Sequence, residues 1–204
     1  MVTIINYGLG NLGSILNMLK KIEVEATISS DPGTIGKAEK LILPGVGAFD
    51  NGMRLLEDLG LYDILNHCVL TRKVPILGIC LGMQLMTKQS EEGVLAGLSW
   101  IDATTKRFRF DSESGLKVPH MGWNTVQICG QIDFFEGISQ EPRFYFVHSY
   151  HAVCENENDV LTKTSHGYEF VSAFKRNNVT GVQFHPEKSH KFGMAFLKNW
   201  VTHS

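Results

Sequence analysis

Proline is scarce in this 204-residue chain, six in all, and no apolar run approaches the roughly 18 residues that would cross a bilayer. Cysteine is sparse too. Cys68, Cys80, Cys129 and Cys154 stand far apart with no CxxC or CxxH spacing, which argues against structural zinc or a dithiol redox pair and fits a reducing, cytoplasmic setting. Charge of one sign does not accumulate: 19 Lys plus Arg face 21 Asp plus Glu, and Lys106-Arg107-Phe108-Arg109 is the one basic knot. A phosphate footprint needs a broader patch, so the knot reads as an exposed strand and nucleic acid is not an expected partner. The opening residues, Met1 to Asn6, form a short apolar strand without the basic n-region or cleavage site of a secretion signal, so a soluble, non-exported protein with no membrane partner is expected.

What is abundant is glycine, 20 residues, within a 43% hydrophobic composition that can fill one sizeable core. A single domain spanning residues 1–204 is expected. The first half alternates extended and helical segments: 2–6 extended, 11–22 helical, 25–29 and 40–43 extended, 49–70 largely helical, 74–79 extended and 81–89 helical. That rhythm predicts a parallel sheet with crossover helices. The second half carries short runs rich in aromatic and β-branched residues, at 100–105, 117–128, 143–153, 160–165, 170–175 and 179–183, which read as antiparallel strands. A last helix from Lys188 to Val201 would pack Phe192, Ala195, Phe196 and Trp200 on the sheet. The fold class is α/β: a mostly parallel central sheet flanked by helices, with additional antiparallel strands.

Cys80 stands out in Gly78-Ile79-Cys80-Leu81-Gly82, directly after the apolar run Val74 to Leu77 and directly before a helical pattern. Glycines two positions either side let the backbone turn sharply, so that the side chain projects alone from the strand end and the Leu81 N–H can face an oxyanion, as in a nucleophile elbow. Leu43-Pro44-Gly45-Val46-Gly47 also ends a strand. An N–H from Gly45 to Gly47, joined to that of Leu81, could hold a developing negative charge. In Gly181-Val182-Gln183-Phe184-His185-Pro186-Glu187-Lys188, a histidine and a carboxylate stand two apart, on one side of an extended backbone, so Glu187 can orient the His185 ring toward a thiol.

Two other patterns compete. Gly8-Leu9-Gly10-Asn11-Leu12-Gly13, with Asp31 downstream, has the form of a dinucleotide fingerprint and would suit an oxidoreductase, although tight packing explains such glycines equally well. Cys80 with His185 alone would suit a cysteine peptidase. His148 and His151 lie three apart and are expected on opposite faces of one strand, so no metal site is expected there.

Pro44-Gly45-Val46-Gly47, Gly78 to Gln84 and His185-Pro186-Glu187 together closely resemble the class I (triad) glutamine amidotransferases. With Tyr7-Gly8-Leu9-Gly10-Asn11-Leu12, Pro119 to Asn124 and Tyr145 to Tyr150 added, the resemblance runs over essentially the whole chain and narrows to the glutaminase subunits of imidazole glycerol phosphate synthases. It implies a flavodoxin-like fold, no cofactor, and a Cys80, His185, Glu187 triad that splits glutamine through a thioester, with Cys80 activated by His185 and by the following helix. It also implies glutamine contacts from Gln84, Glu92 and the backbone of Ser149 and Tyr150, and a heterodimer in which ammonia passes to a separate (β/α)8 cyclase subunit. Met121, Trp123, Asn124 and Lys188 are the partner-contact candidates. A paralogous glutaminase serving surface-sugar amidation would share the same triad, and the sequence leaves that alternative open.

Overall fold

The computed structural model describes residues 1–129, 133–138 and 141–204. In order, the elements are β1 (Val2–Ile5), α1 (Leu12–Lys21), β2 (Ala26–Ser29), α2 (Pro32–Gly36), β3 (Lys40–Leu43), α3 (Phe49–Asp58), α4 (Leu61–Asn66), β4 (Ile76–Ile79), α5 (Leu81–Leu85), β5 (Ala103–Arg107), β6 (His120–Thr125), β7 (Gln127–Ile128), β8 (Arg143–His148), β9 (Tyr150–Cys154), β10 (Val160–His166), β11 (Tyr168–Arg176), β12 (Val179–Val182) and α6 (His190–His203). Among the described residues, ten strands form one sheet in the order β2-β1-β3-β4-β12-β11-β10-β7, with β9 on β11 and β5 on β9, while β6 and β8 make a separate ribbon. From β2 to β12 neighbouring strands run parallel; from β12 outward they run antiparallel.

The parallel strands are apolar on both faces because helices cover both. Leu41 and Leu43 point into one cluster with Phe49, Met53 and Leu56, whereas Ile42, Leu77 and Ile79 point into the other with Phe144, Phe196 and Trp200. α1 buries Ile15, Met18 and Leu19, a stripe at helical spacing. In the apparent dinucleotide fingerprint Gly10 has a packing role, whereas Gly13 faces open space. A side chain on Gly10 would meet Pro44 at 2.9 Å, and the Tyr7 hydroxyl donates to Pro44 O at 2.7 Å. Asp31 caps α2, accepting from Thr34 N at 2.7 Å.

Several boundaries differ from the expected ones. The long helix at 49–70 breaks at Gly60, which takes a left-handed φ of 65° at the start of α4, and it closes in a wide five-residue turn, His67–Thr71. The helix after Cys80 stops at Leu85 instead of residue 89. Its carbonyls are taken by the returning chain, with Leu98 N on Leu85 O at 2.8 Å and Trp100 N on Met86 O at 2.9 Å, and by the Thr87 hydroxyl on Gln84 O at 2.7 Å. A helix this short lends Cys80 little of the dipole expected of it. The run 143–153 splits at Ser149, so β8 joins the ribbon and β9 the main sheet. In α6 the fully buried stripe is Gly193, Phe196, Leu197 and Trp200, because Gly193 seats directly on Pro186 O. α2 was not anticipated, although Asp31-Pro32 is a helix-start pair.

Candidate active site

β4 and β12 are neighbours in register, Gly78 beside Gly181 and Ile79 beside Val182. The residues that leave their carboxyl ends, Cys80 and His185, therefore emerge side by side, where open α/β sheets place their sites. Cys80 has φ 54° and ψ −110°, a conformation that costs an L residue on the order of 1–3 kcal/mol. It is held there by Cys80 N on Val182 O at 2.8 Å and Gln84 N on Cys80 O at 3.2 Å. The glycines are sterically required: a side chain on Gly82 would lie 1.8 Å from Leu43 O, and one on Gly78 would lie 2.8 Å from Gly82 O.

His185 and Glu187 are both buried, and Nδ1 bonds Oε1 at 2.8 Å. They do not share a face of an extended strand. Pro186 opens a short 3-10 turn, Pro186–Lys188, and it is this turn that swings the carboxylate under the ring. The His185 backbone is pinned by its N–H on Tyr145 O at 2.9 Å and by the Ser189 hydroxyl on His185 O at 2.6 Å. Nε2 is buried with no hydrogen-bond partner at ordinary distance, yet it is near enough to the Cys80 sulfur to feel it. Burial alone would lower the imidazole pKa; the Cys80 and Glu187 side chains overcome burial and raise it to about 10.

The sulfur opens on a cavity of about 330 Å³ lined by Val46, Gly47, Cys80, Leu81, Gln84, Glu92, Pro119, Val147, His148, Ser149 and Tyr150. Eight of the sequence-derived residues thus converge here. Glu92 is half-buried and accepts from Phe49 N at 2.9 Å; burial raises its pKa, partly offset by that bond. Gln84 donates to Tyr150 O at 3.2 Å and to Gln183 Oε1 at 3.1 Å, and Gln183 in turn points an N–H at the sulfur, 3.7 Å away. Gln183 was not among the expected site residues. The available signal was an amide at the end of an otherwise apolar strand, where burial demands partners.

The expected oxyanion donors are on this wall, but in the present geometry the Leu81 N–H is given to Gly45 O at 3.3 Å. Gly47 has φ 110° with open space around it.

His148 and His151 are not on opposite faces of one strand. The break at Ser149 turns both rings onto Phe108, with centroids 5.3 and 4.7 Å away, in a nest that also holds His120, His166 and Phe170. Among the described residues no three His, Cys, Asp or Glu side chains are placed to hold a metal, and no helix is long and apolar enough to cross a membrane.

Of the partner-contact candidates, Met121 (63% exposed) and Trp123 (39%) lie on the outer face of the β6–β8 ribbon. Trp123 stacks on His190 at 5.4 Å, and Lys188 Nζ sits over Tyr145 at 5.6 Å. Asn124 is half-buried, and its amide bonds within the protein.

Residues 3–204 match the family model described as glutamine amidotransferase class-I. Imidazole glycerol phosphate synthase subunit HisH 2 of Methanococcus maripaludis is 52% identical over 201 residues, covering 98% of each chain. The Pseudomonas aeruginosa protein of the same description is 48% identical, again covering 98% of each. A crystal structure described as a glutamine amidotransferase superposes with a TM-score of 0.74 at 18% identity, covering 98% of this chain and 100% of its own, which speaks to fold alone.

Proposed function

This chain belongs to the class-I glutamine amidotransferases, and from that premise we propose that it is the glutaminase subunit of an imidazole glycerol phosphate synthase, making ammonia from glutamine for histidine biosynthesis. The observation that carries the reading is the strained Cys80 elbow on a small cavity, with the buried His185–Glu187 side-chain pair beside its sulfur.

In this reading glutamine enters with its ammonium group toward the Glu92 carboxylate and its side-chain amide toward Cys80. His185 Nε2 takes the thiol proton, and the sulfur attacks the amide carbon. The tetrahedral intermediate collapses as His185 returns that proton to the departing nitrogen, which leaves as ammonia. A γ-glutamyl thioester remains. His185 then takes a proton from water, the hydroxide attacks the thioester carbon, and the thiolate recovers the proton as glutamate leaves. Glu187 holds the imidazole and balances its charge. Charge on the oxygen requires donors, and Leu81 N–H is one. Rotating the Gly45–Val46 peptide would withdraw the carbonyl that now occupies it and offer the Val46 N–H beside it; one such donor is worth roughly 10²–10³ in rate. Gly45, on one side of that peptide, lowers the cost of the rotation.

The ammonia acceptor is a separate (β/α)8 cyclase subunit in a heterodimer. Met121, Trp123 and Lys188 supply an exposed aromatic and cationic surface for it, next to a cavity of about 350 Å³ that Glu187 and Lys188 share with α1. The test is glutamate release from glutamine by the purified chain, alone and with such a cyclase subunit carrying its nucleotide ligand, with Cys80→Ala as control. Strong stimulation that vanishes in the variant is expected. Activity indifferent to the cyclase would keep the glutaminase but reject this partner.

A further inference from the structure

One wall of the cavity on which Cys80 opens is held by a hydrogen-bond chain whose direction can be worked out atom by atom. His148 Nδ1 lies 2.7 Å from Tyr150 O. A carbonyl only accepts, so Nδ1 carries the proton, and in a neutral ring Nε2 is then bare. His120 Nδ1 lies 3.0 Å from that Nε2 and must be its donor, which leaves His120 Nε2 as an acceptor. Asn124 Nδ2 lies 3.1 Å from His120 Nε2 and 2.8 Å from Ser165 O, spending both amide hydrogens, while Oδ1 accepts from Thr125 N at 2.8 Å. These last two bonds fix which end of the amide is nitrogen. Every donor and acceptor is then used once in a single sense: Asn124 to His120 to His148 to Tyr150 O.

The far end of the chain lies in the cavity. Tyr150 O accepts from His148 and also from Gln84 Nε2, filling both lone pairs, so the Tyr150–His151 peptide cannot turn without breaking two bonds. His148, Ser149 and Tyr150 all line the cavity on which Cys80 opens.

We propose that His120 and His148 are positioning residues for glutamine binding, a neutral imidazole pair that sets the orientation of the Tyr150 peptide through a one-way hydrogen-bond chain anchored at Asn124. The naming of glutamine rests on the function proposed above. Asn124 accordingly serves as an internal anchor, its amide committed within the chain. The titratable neighbours agree with a neutral pair. His166 stacks on His120 at 4.4 Å, His151 shares the Phe108 nest, and burial, with His166 adding to it, holds His120 at about 4. Burial likewise holds His148 well below its ordinary value, against the opposing effect of its bond to Tyr150. A proton added to either ring would set donor against donor somewhere along the chain.

The test has two arms. Long-range proton–nitrogen spectra of the ¹⁵N-labelled full chain at pH 7 are expected to show His120 and His148 both neutral and both protonated on Nδ1; finding either ring protonated on Nε2 overturns the chain. In the second arm, glutamine kinetics are measured with the cyclase subunit present. His120→Leu, which cannot donate, is expected to raise KM roughly tenfold with a smaller change in kcat, and His120→Asn, whose amide reaches where Nδ1 stood, to restore most of it. Unchanged KM in the leucine variant overturns the positioning role. Should that variant fail to fold, Asn124→Asp at the half-buried end replaces it: a carboxylate there demands a proton on His120 Nε2, and an unaltered His120 spectrum rejects the chain. A wild-type protein that does not turn over glutamine, with the spectra as expected, rejects the substrate assignment and leaves the chain itself standing.

Discussion

Two groups of buried histidines meet at this site and are driven in opposite directions. His185 is raised to about 10 and His120 is lowered to about 4, although each is nearly inaccessible to water. Burial pushes both downward; what differs is the partner. His185 faces a sulfur and a carboxylate, groups that stabilise a cation. His120 lies between an amide donor and the bare nitrogen of another imidazole, where a second ring proton has nowhere to point. The lesson is that partner chemistry, more than depth, decides whether a histidine moves protons or holds geometry.

The largest expected effect short of removing the sulfur comes from giving His185 the kind of partner His120 has. Glu187→Gln keeps the shape and removes the charge, and should lower glutaminase kcat on the order of 10³-fold while dropping the His185 pKa. Steady-state kinetics with a histidine NMR titration would check both; a pKa unchanged from wild type would mean that the carboxylate is not what sustains it.

Removing the other partner bears on the protonation equilibrium at least as strongly. Cys80→Ala should abolish turnover yet leave His185 with Glu187, so its titration moves down only part of the way from about 10. The same titration reads this, and no movement would show that the sulfur and the imidazole are uncoupled.

The smallest effect is on stability against pH. An unfolded histidine takes up a proton near 6.5, whereas folded His120 refuses it until about 4, so its contribution is present above pH 6.5 and lost as pH falls toward 4. His185 has the opposite sign: its contribution is present below pH 6.5 and lost as pH rises toward about 10. Melting temperatures from pH 7 to pH 5 should therefore fall less steeply for His120→Asn than for wild type. Equal slopes would mean that His120 is not held neutral by the fold.

The parts of the site readable in the chain are those with local backbone causes. A nucleophile forced to φ 54° needs small neighbours, so Gly78 and Gly82 mark it; a proline after His185 marks the turn that brings Glu187 beneath the ring. The helix after Cys80 is shorter than its local pattern predicts because what ends it, the returning backbone at Leu98 to Ile101, is distant information. His148 and His151 depart from expectation for a related reason: strand periodicity assumes one strand, and the break at Ser149 puts β8 and β9 in different sheets. Gln183 carries only a weak mark, an amide at the end of an apolar strand, which does not say whether it faces water or a buried sulfur.

Legible in the chain were the Cys80 elbow, His185 with Glu187 as candidates beside it, the glycine-bearing loop and the alternation that builds a parallel sheet, since these leave short-range marks in glycine and proline placement and in apolar rhythm. No such mark records that β12 lies beside β4, bringing His185 to Cys80, that Gly45 O occupies the Leu81 amide, or that Asn124, His120 and His148 align into one chain ending at Tyr150. Strand neighbours and hydrogen-bond directions are set by the contest among all distant partners for buried groups, and no local pattern records its outcome.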